Sequence, residues 1–430
     1  MSHLTMNQTA KMTSLQYSSI LVCFLMNMLD GMDVMVISYA APAITKAWSI
    51  GAEALGLVFS SGLVGMSVGA LMIAPYADKI GRKKMMIISG LLMGITIFTT
   101  SFAGSVNQLI FFRFINGLGI GCMLASTAAL TSEYAPPTTK DFWVSFALSG
   151  YPIGAVLSGM VAAKIIPTYG WASIFQLAGC CTLASVPVVY FFLAESLDFY
   201  LKSQPEGALL KANNLLSKMG KDTIATLPEK PAIFQKIPIK LILSPAFRLS
   251  TIQLWVALFL SFATLYFLTS WIPKLASTAG LSIELAIYAG TVFNVGAFVG
   301  IITQGYFSSK YGLKKTIGTI LVLTAILMAI FKVFVGTDGI IIVFGLLGFG
   351  IQGGFVGLYA VSARIYPTEF RTTGVGWSIG IGRLGGIIGP AVGGVLIGLG
   401  LSMSTNFLIF AIPTALAGLM TWYLSTDKVS

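Results

Sequence analysis

The sequence predicts an all-α integral membrane protein, with twelve transmembrane helices in two pseudo-symmetric six-helix bundles. Three observations carry that prediction. Hydrophobic residues make up 56% of the 430 residues and charged residues only 10%, with a mean hydropathy of +0.87; an ordinary soluble globule is excluded. The apolar residues run in stretches longer than the ~18 that suffice to cross a bilayer. The sequence also repeats itself at an offset of 231 residues.

The predicted spans lie near 18–44, 54–76, 85–103, 109–131, 142–163, 171–193, 249–272, 285–307, 316–335, 339–362, 373–397 and 404–424. The N-terminal stretch is polar and the first span is too long for a signal h-region, so no cleavable leader is expected. The chain divides into an N-terminal bundle (1–194), a cytoplasmic linker (195–247) and a C-terminal bundle (248–430). The linker is the longest polar stretch, with Pro205, Pro228, Pro231 and Pro238 along it and a short surface helix expected over 206–219.

At the 231-residue offset, Pro42 falls on Pro273, Gly117 and Gly119 on Gly348 and Gly350, and Pro136 on Pro367. Ala74 to Lys84 falls on Gly305 to Lys315, so that Gly81 meets Gly312, each expected in a tight turn. One offset serving landmarks this far apart implies parallel six-helix halves related by an axis along the membrane normal, with a site at midplane between them.

The first span holds Asp30-Gly31-Met32-Asp33. Two carboxylates at that depth cost about 2.5–3.5 kcal/mol each on insertion scales. They are kept when they carry protons, ions or substrate, or pair with a buried cation. The i, i+3 spacing puts both on one helix face, and Gly31 lets a backbone or ligand approach closely. Arg113 in the fourth span is a second costly charge, suited to proton coupling or to a structural ion pair with a first-span Asp. Arg383 lies about 15 Å into the eleventh span, near midplane, among nine glycines between Gly374 and Gly394. A guanidinium there can clamp a carboxylate bidentately or pair with Asp30 or Asp33. Of the aromatics near the spans, Tyr266, Tyr359 and Trp377 are the leading candidates to line a cavity.

The net charge of +11 does not indicate nucleic acid. With the N-terminus inside, 20 of the 26 Lys and Arg residues fall in cytoplasmic segments. That bias places both termini in the cytoplasm. The single histidine, His3, is in the tail, and the four cysteines lack metal-ligand spacing, so no metal or cofactor site and no buried imidazole relay are expected. Enzyme chemistry lacks a nucleophile–base constellation, and no ATP-binding glycine loop occurs.

The expected gating charges sit at cytoplasmic helix ends. Asp78 and Arg82 belong to the short loop Asp78-Lys79-Ile80-Gly81-Arg82-Lys83-Lys84. Glu133 and Arg364 occupy equivalent repeat positions, acid in one half and base in the other, which invites inter-half salt bridges when the inside closes; Lys140 and Arg371 are equivalent likewise. Exposed pairs contribute only roughly 0–1 kcal/mol, but a network that desolvates on closure biases a two-state equilibrium.

The Asp78–Lys84 loop resembles the signature loop of the major facilitator superfamily, with Ala74 where its first glycine stands and Ser309 replacing the acid in the second copy. Arg113 matches that superfamily's helix-four arginine, linked to proton coupling. The helix-one Asp-Gly-Met-Asp, the Thr-Ser-Glu133-Tyr-Ala-Pro segment and Arg383 resemble the aromatic acid:proton symporters of the superfamily, carriers of benzoate-, hydroxybenzoate- and muconate-type acids. The resemblance implies a bacterial inner-membrane importer, acting as a monomer, with Asp30, Asp33, Glu133, Arg371 and Arg383 at functional positions. It implies as partners a small carboxylate, protons and lipid. Several family members carry a second-half histidine that this chain lacks. A sugar or polyol symporter and a proton-driven exporter are the alternatives of the same fold. Glu195-Ser196 is faintly similar to a sugar-porter motif, while the midplane arginine disfavours a cationic substrate.

Overall fold

The computed structural model describes residues 12–228, 241–337, 339–367 and 370–424, and its regular elements are all helical. In the first half, α1 (Ser14–Trp48) is followed by α2 (Ala52–Val68), which runs on through a π turn and a 3-10 turn into α3 (Ala77–Ile80). Then come α4 (Arg82–Thr100), α5 (Val106–Tyr134), α6 (Lys140–Leu148), α7 (Gly150–Tyr169) and α8 (Ala172–Phe192). Two short helices, α9 (Leu197–Lys202) and α10 (Ala208–Lys218), occupy the described part of the linker. The second half holds α11 (Arg248–Thr278), α12 (Ile283–Tyr311), α13 (Leu313–Ala329), α14 (Ile340–Ile365), α15 (Arg371–Gly398) and α16 (Met403–Trp422).

Local chemistry sets many of the boundaries. Hydroxyls of Ser105, Ser282 and Ser402 accept from the backbone three residues on and cap α5, α12 and α16. Gly81 (φ 104°) and Gly312 (φ 89°) end α3 and α12 in a backbone region that side chains disfavour. They are repeat mates, so the same turn is built twice.

Among the described residues, eleven helices are long and apolar enough to cross a membrane, not twelve. The stretch expected over 316–335 is the exception. Its helix, α13, has only 17 residues. The chain leaves helical geometry at Ile330 and enters a 3-10 turn over Phe331–Phe334. The fully buried Phe331 draws the backbone inward, with its ring 4.5 Å from that of Phe407 and 5.5 Å from that of Phe344.

Packing repeats along with sequence. In the first half α1 packs on α7, α2 on α5 and α4 on α8; in the second α11 packs on α15, α12 on α14 and α13 on α16. The halves meet through α2 with α15, α7 with α12, and α1 with α11. Ser38 Oγ donates within 2.8 Å of the carbonyls of Thr269 and Ser270, and Ser60 Oγ donates to Ile387 O at 2.7 Å. The Phe59 and Trp271 rings meet edge-to-face at 5.1 Å. These contacts seal the interface on the side away from the loops that carry Arg82, Glu133 and Arg364.

Candidate transport site

The acidic stretch of α1 lies deep inside the first half. Asp30 is 1% exposed, Asp33 0% and Arg113 4%. Gly31 lets α7 approach: a Cβ there would sit 2.9 Å from the Tyr151 Cα. Arg113 Nη1 donates to the backbone carbonyl of Asp33 at 3.0 Å, and its charge also acts on the Asp33 carboxyl. Thr182 Oγ1 of α8 donates to Asp33 Oδ1 at 3.4 Å. No direct carboxylate–guanidinium pair forms, so the structural ion pair anticipated between Arg113 and a helix-one Asp is absent in this arrangement. Both oxygens of Asp30, Asp33 Oδ2 and Arg113 Nε are buried without a hydrogen-bond partner. Such orphaned groups are expensive in a low-dielectric core.

Across the interface, Tyr266 of α11 shares with Arg113, Ser38 and Ser270 the lining of a cavity of about 20 Å³, room for a water but not for an aromatic ring. Arg383 of α15 is half-buried. Its charge acts on the hydroxyls of both Tyr266 and Tyr359. It makes no ion pair with Asp30 or Asp33. Phe262 stacks on Tyr266 at 6.0 Å and meets Tyr359 edge-on at 6.4 Å, and the Phe262 and Tyr266 rings pack against Gly382 and Gly386 on either side of Arg383 in α15. Trp377 does not join them. It is 46% exposed, six residues from Arg383 toward the loop end of α15, beside Trp255 at 6.4 Å.

The expected gate charges are arranged differently from the sequence expectation. Glu133 forms an ion pair with Arg82 of its own half and accepts from Ser196 Oγ at 2.8 and 2.9 Å. Arg82 also reaches Asp78 at 3.3 Å, although Asp78 is 71% exposed. Glu195 holds the same corner, accepting from Lys83 N at 3.0 Å. Arg364 is exposed and unpaired with Glu133, and Arg371 Nε donates to Tyr366 O at 3.2 Å. With the interface closed on the opposite side, the inter-half bridges anticipated at this end are not made.

Two helical halves, with buried charge in the first and a partnerless arginine in the second, meet a family model described as the Major Facilitator Superfamily over residues 23–305 and 254–430. The chain belongs to that superfamily. It is a transport protein. It is 32% identical over 408 residues, 94% of this chain and 91% of the relative, to the 4-hydroxybenzoate transporter PcaK of Pseudomonas aeruginosa. It is 31% identical over 94% of its length to a gallate transporter of Pseudomonas putida, covering 90% of that protein. With the benzoate transport protein of Acinetobacter baylyi it shares 30% identity over 97% of this chain and 91% of the relative. The fold matches that of the Escherichia coli xylose transporter XylE in a partially occluded inward open conformation. The TM-score is 0.76 over 97% of this chain and 100% of that one, at 17% identity.

Within this superfamily member, two residues near the acids lie outside the leading candidates read from the sequence. Tyr151 opens α7 against Gly31, and its hydroxyl feels Asp30, Arg113 and Tyr266. Asn27 stands one turn before Asp30, fully buried. A lone Tyr or Asn in an apolar run looks like a belt or packing residue. The Asn27–Asp30–Asp33 spacing of three was the available signal.

Proposed function

We propose that the chain is a proton-coupled importer of a small aromatic carboxylate, working by alternating access. The carrying observation is Arg383: a half-buried, always-charged guanidinium free of Asp30 and Asp33, whose charge acts on Tyr266 and Tyr359. Such a group suits an anion, and the Phe262, Tyr266 and Tyr359 rings suit a planar one. The aromatic-acid transporters among its relatives support that substrate class. Trp377 lies on the route from the loop side rather than at the clamp.

Energetics require a co-ion. An anion moving inward works against about 2.3 kcal/mol per 100 mV. One proton per monoanion cancels that cost and adds about 1.4 kcal/mol per pH unit of gradient. Asp30, Asp33 and Arg113 form the coupling centre. The halves 1–194 and 248–430 rock as units about the interface, joined by the 195–247 linker, and Asp78, Arg82, Glu133, Arg364 and Arg371 form the cytoplasmic gate. The Lys and Arg asymmetry supports cytoplasmic termini in a bacterial inner membrane, with the monomer as the working unit.

The test is uptake into proteoliposomes of labelled benzoate, 4-hydroxybenzoate, protocatechuate, muconate, a hexose and a cationic dye under an inward proton gradient. Accumulation of one carboxylate, abolished by Arg383→Ala, supports the proposal. Movement of the hexose or the dye alone, or normal uptake by Arg383→Ala, refutes it.

A further inference from the structure

The two aspartates of α1 are not equivalent, and the difference lies in their partners. Asp33 receives a hydroxyl from Thr182 and sits beside the Arg113 charge. An ionised carboxylate only accepts, and Asp33 has one donor on Oδ1 and a counter-charge nearby, with Oδ2 alone left unpartnered. Asp30 has neither: both of its oxygens are buried and unpartnered.

One turn away, Asn27 presents the complementary defect. Its Nδ2 donates to Cys23 O at 2.9 Å, which fixes the amide, and its Oδ1 is buried with no donor. Asn27 and Asp30 share a helix face by their spacing. That face is pressed against the start of α7: a Cβ on Gly150 would lie 3.3 Å from the Asn27 Cβ, and Gly31 abuts Tyr151. Three acceptor oxygens one turn apart on this buried face are thus left without a donor. A single proton on Asp30 supplies the missing donor.

We infer that the coupling proton resides on Asp30, hydrogen-bonded to Asn27 Oδ1, while Asp33 stays ionised beside Arg113. The inference rests on the proton-coupled reading above and divides its labour. Asn27 is a positioning residue: it touches neither substrate nor solvent, and it makes the protonated form of Asp30 the satisfied one. The other titratable groups at this place are Asp33 on α1 itself and Tyr151 of α7, with Arg113 of α5 and Tyr266 of α11 beyond them. Asp33 and Arg113 carry the charges among them, and Arg113 lies on the Asp33 side, hydrogen-bonded to its carbonyl. During transport the proton joins the Asp30 carboxylate from one aqueous side and leaves to the other, with no other bond changed.

The experiment that decides this needs no substrate. Infrared spectra of the full chain in lipid at pH 7 report a protonated carboxyl as a C=O band distinct from carboxylate bands. The band is expected in the wild type, absent in Asp30→Asn, retained in Asp33→Asn and shifted to higher frequency in Asn27→Leu. Asn27→Leu also moves the pH at which the band is half lost downward. Loss of one hydrogen bond to the protonated form weakens proton binding about two- to tenfold, and tenfold is one pH unit. No band in the wild type, loss in Asp33→Asn instead, or an unmoved midpoint in Asn27→Leu overturns the assignment.

Transport of labelled 4-hydroxybenzoate supplies the second arm. Asp30→Asn keeps exchange between equal internal and external pools but loses gradient-driven accumulation; Asp33→Asn loses both. The reverse split, or a sodium gradient driving uptake at matched pH, overturns the inference. Failure of the wild type to accumulate any of the carboxylates refutes the functional proposal instead, and the infrared result stands apart from it.

Discussion

Asp30 and Asp33 in the first half and Ser261 and Thr264 in the second occupy the same positions of the 231-residue repeat. Around them the backbone framework is shared. Asp33 is hydrogen-bonded to Thr182 of α8, and Thr264 to Thr414 of α16 at 3.0 Å, across equivalent helix pairs. Asp30 has two orphaned oxygens, and Ser261 Oγ is orphaned too. Duplication thus preserved two buried polar stations in each half, but only the first half filled them with carboxyls. The arginines diverged likewise. Arg113 is buried in the first half, and its mate is Phe344; Arg383 is half-exposed in the second, and its mate is Pro152. One copy of the scaffold is equipped to hold charge out of water, and the other to show charge to a ligand.

Removing the two arginines breaks this contrast most sharply. Arg113→Met leaves Asp33 as an uncompensated buried charge and should cost about 3–5 kcal/mol of stability, along with all uptake. Arg383→Met, at a half-exposed position without a carboxylate partner, should abolish substrate binding while the unfolding temperature in detergent stays near the wild-type value. Calorimetry and equilibrium binding on both variants check the pair. A large destabilisation by Arg383→Met would show that its charge is structural.

The threonine stations separate next. Thr264→Val should cost about 1 kcal/mol through the lost hydroxyl pair, with uptake retained, since no charge depends on it. Thr182→Val withdraws a donor from Asp33 and should depress uptake more than it depresses stability. Kinetics and melting curves measured side by side would distinguish them.

The seal between the halves gives a smaller effect. Ser38→Ala removes the hydroxyl that bridges to Thr269 and Ser270. Losing about 1 kcal/mol from the state closed on that side raises the opposite-facing population about fivefold. An impermeant thiol reagent applied to a cysteine introduced at Thr269 would register it. The smallest effect belongs to Arg364→Ala, which touches nothing that holds Glu133 here: stability should change by less than about 0.5 kcal/mol. A marked fall in stability would mean that Glu133 and Arg364 meet in the state that dominates in solution.

Much of this was legible in the chain. The buried acids, the arginine among the glycines and the offset of the repeat are all departures from apolar monotony, and sequence displays departures well. The pairing of Glu133 with Arg82 was not, because it depends on how α4 and α5 lean together, which linear spacing does not encode. The separation of Trp377 from Tyr266 and Tyr359 was hidden for the related reason that an aromatic in a span carries no mark of which way it faces. Asn27 and Tyr151 became visible only once α7 was seen pressed against α1. The shortness of α13 follows from Phe331, whose burial against two other rings is a tertiary fact.

That short helix has a consequence for the surrounding lipid. Seventeen residues rise about 25 Å, against a hydrocarbon thickness of about 30 Å. Its outer surface carries Leu323 and Ile326, and the exposed Ile330 and Val333 continue past the last helical turn. The bilayer therefore meets its lowest helical edge on this flank and must dimple by a few ångströms or lean on the 3-10 turn, at a fraction of a kcal/mol per ångström. Acyl-chain length thereby becomes a load borne more by one half than by the other, and membrane thickness a variable to which the rocking equilibrium is coupled.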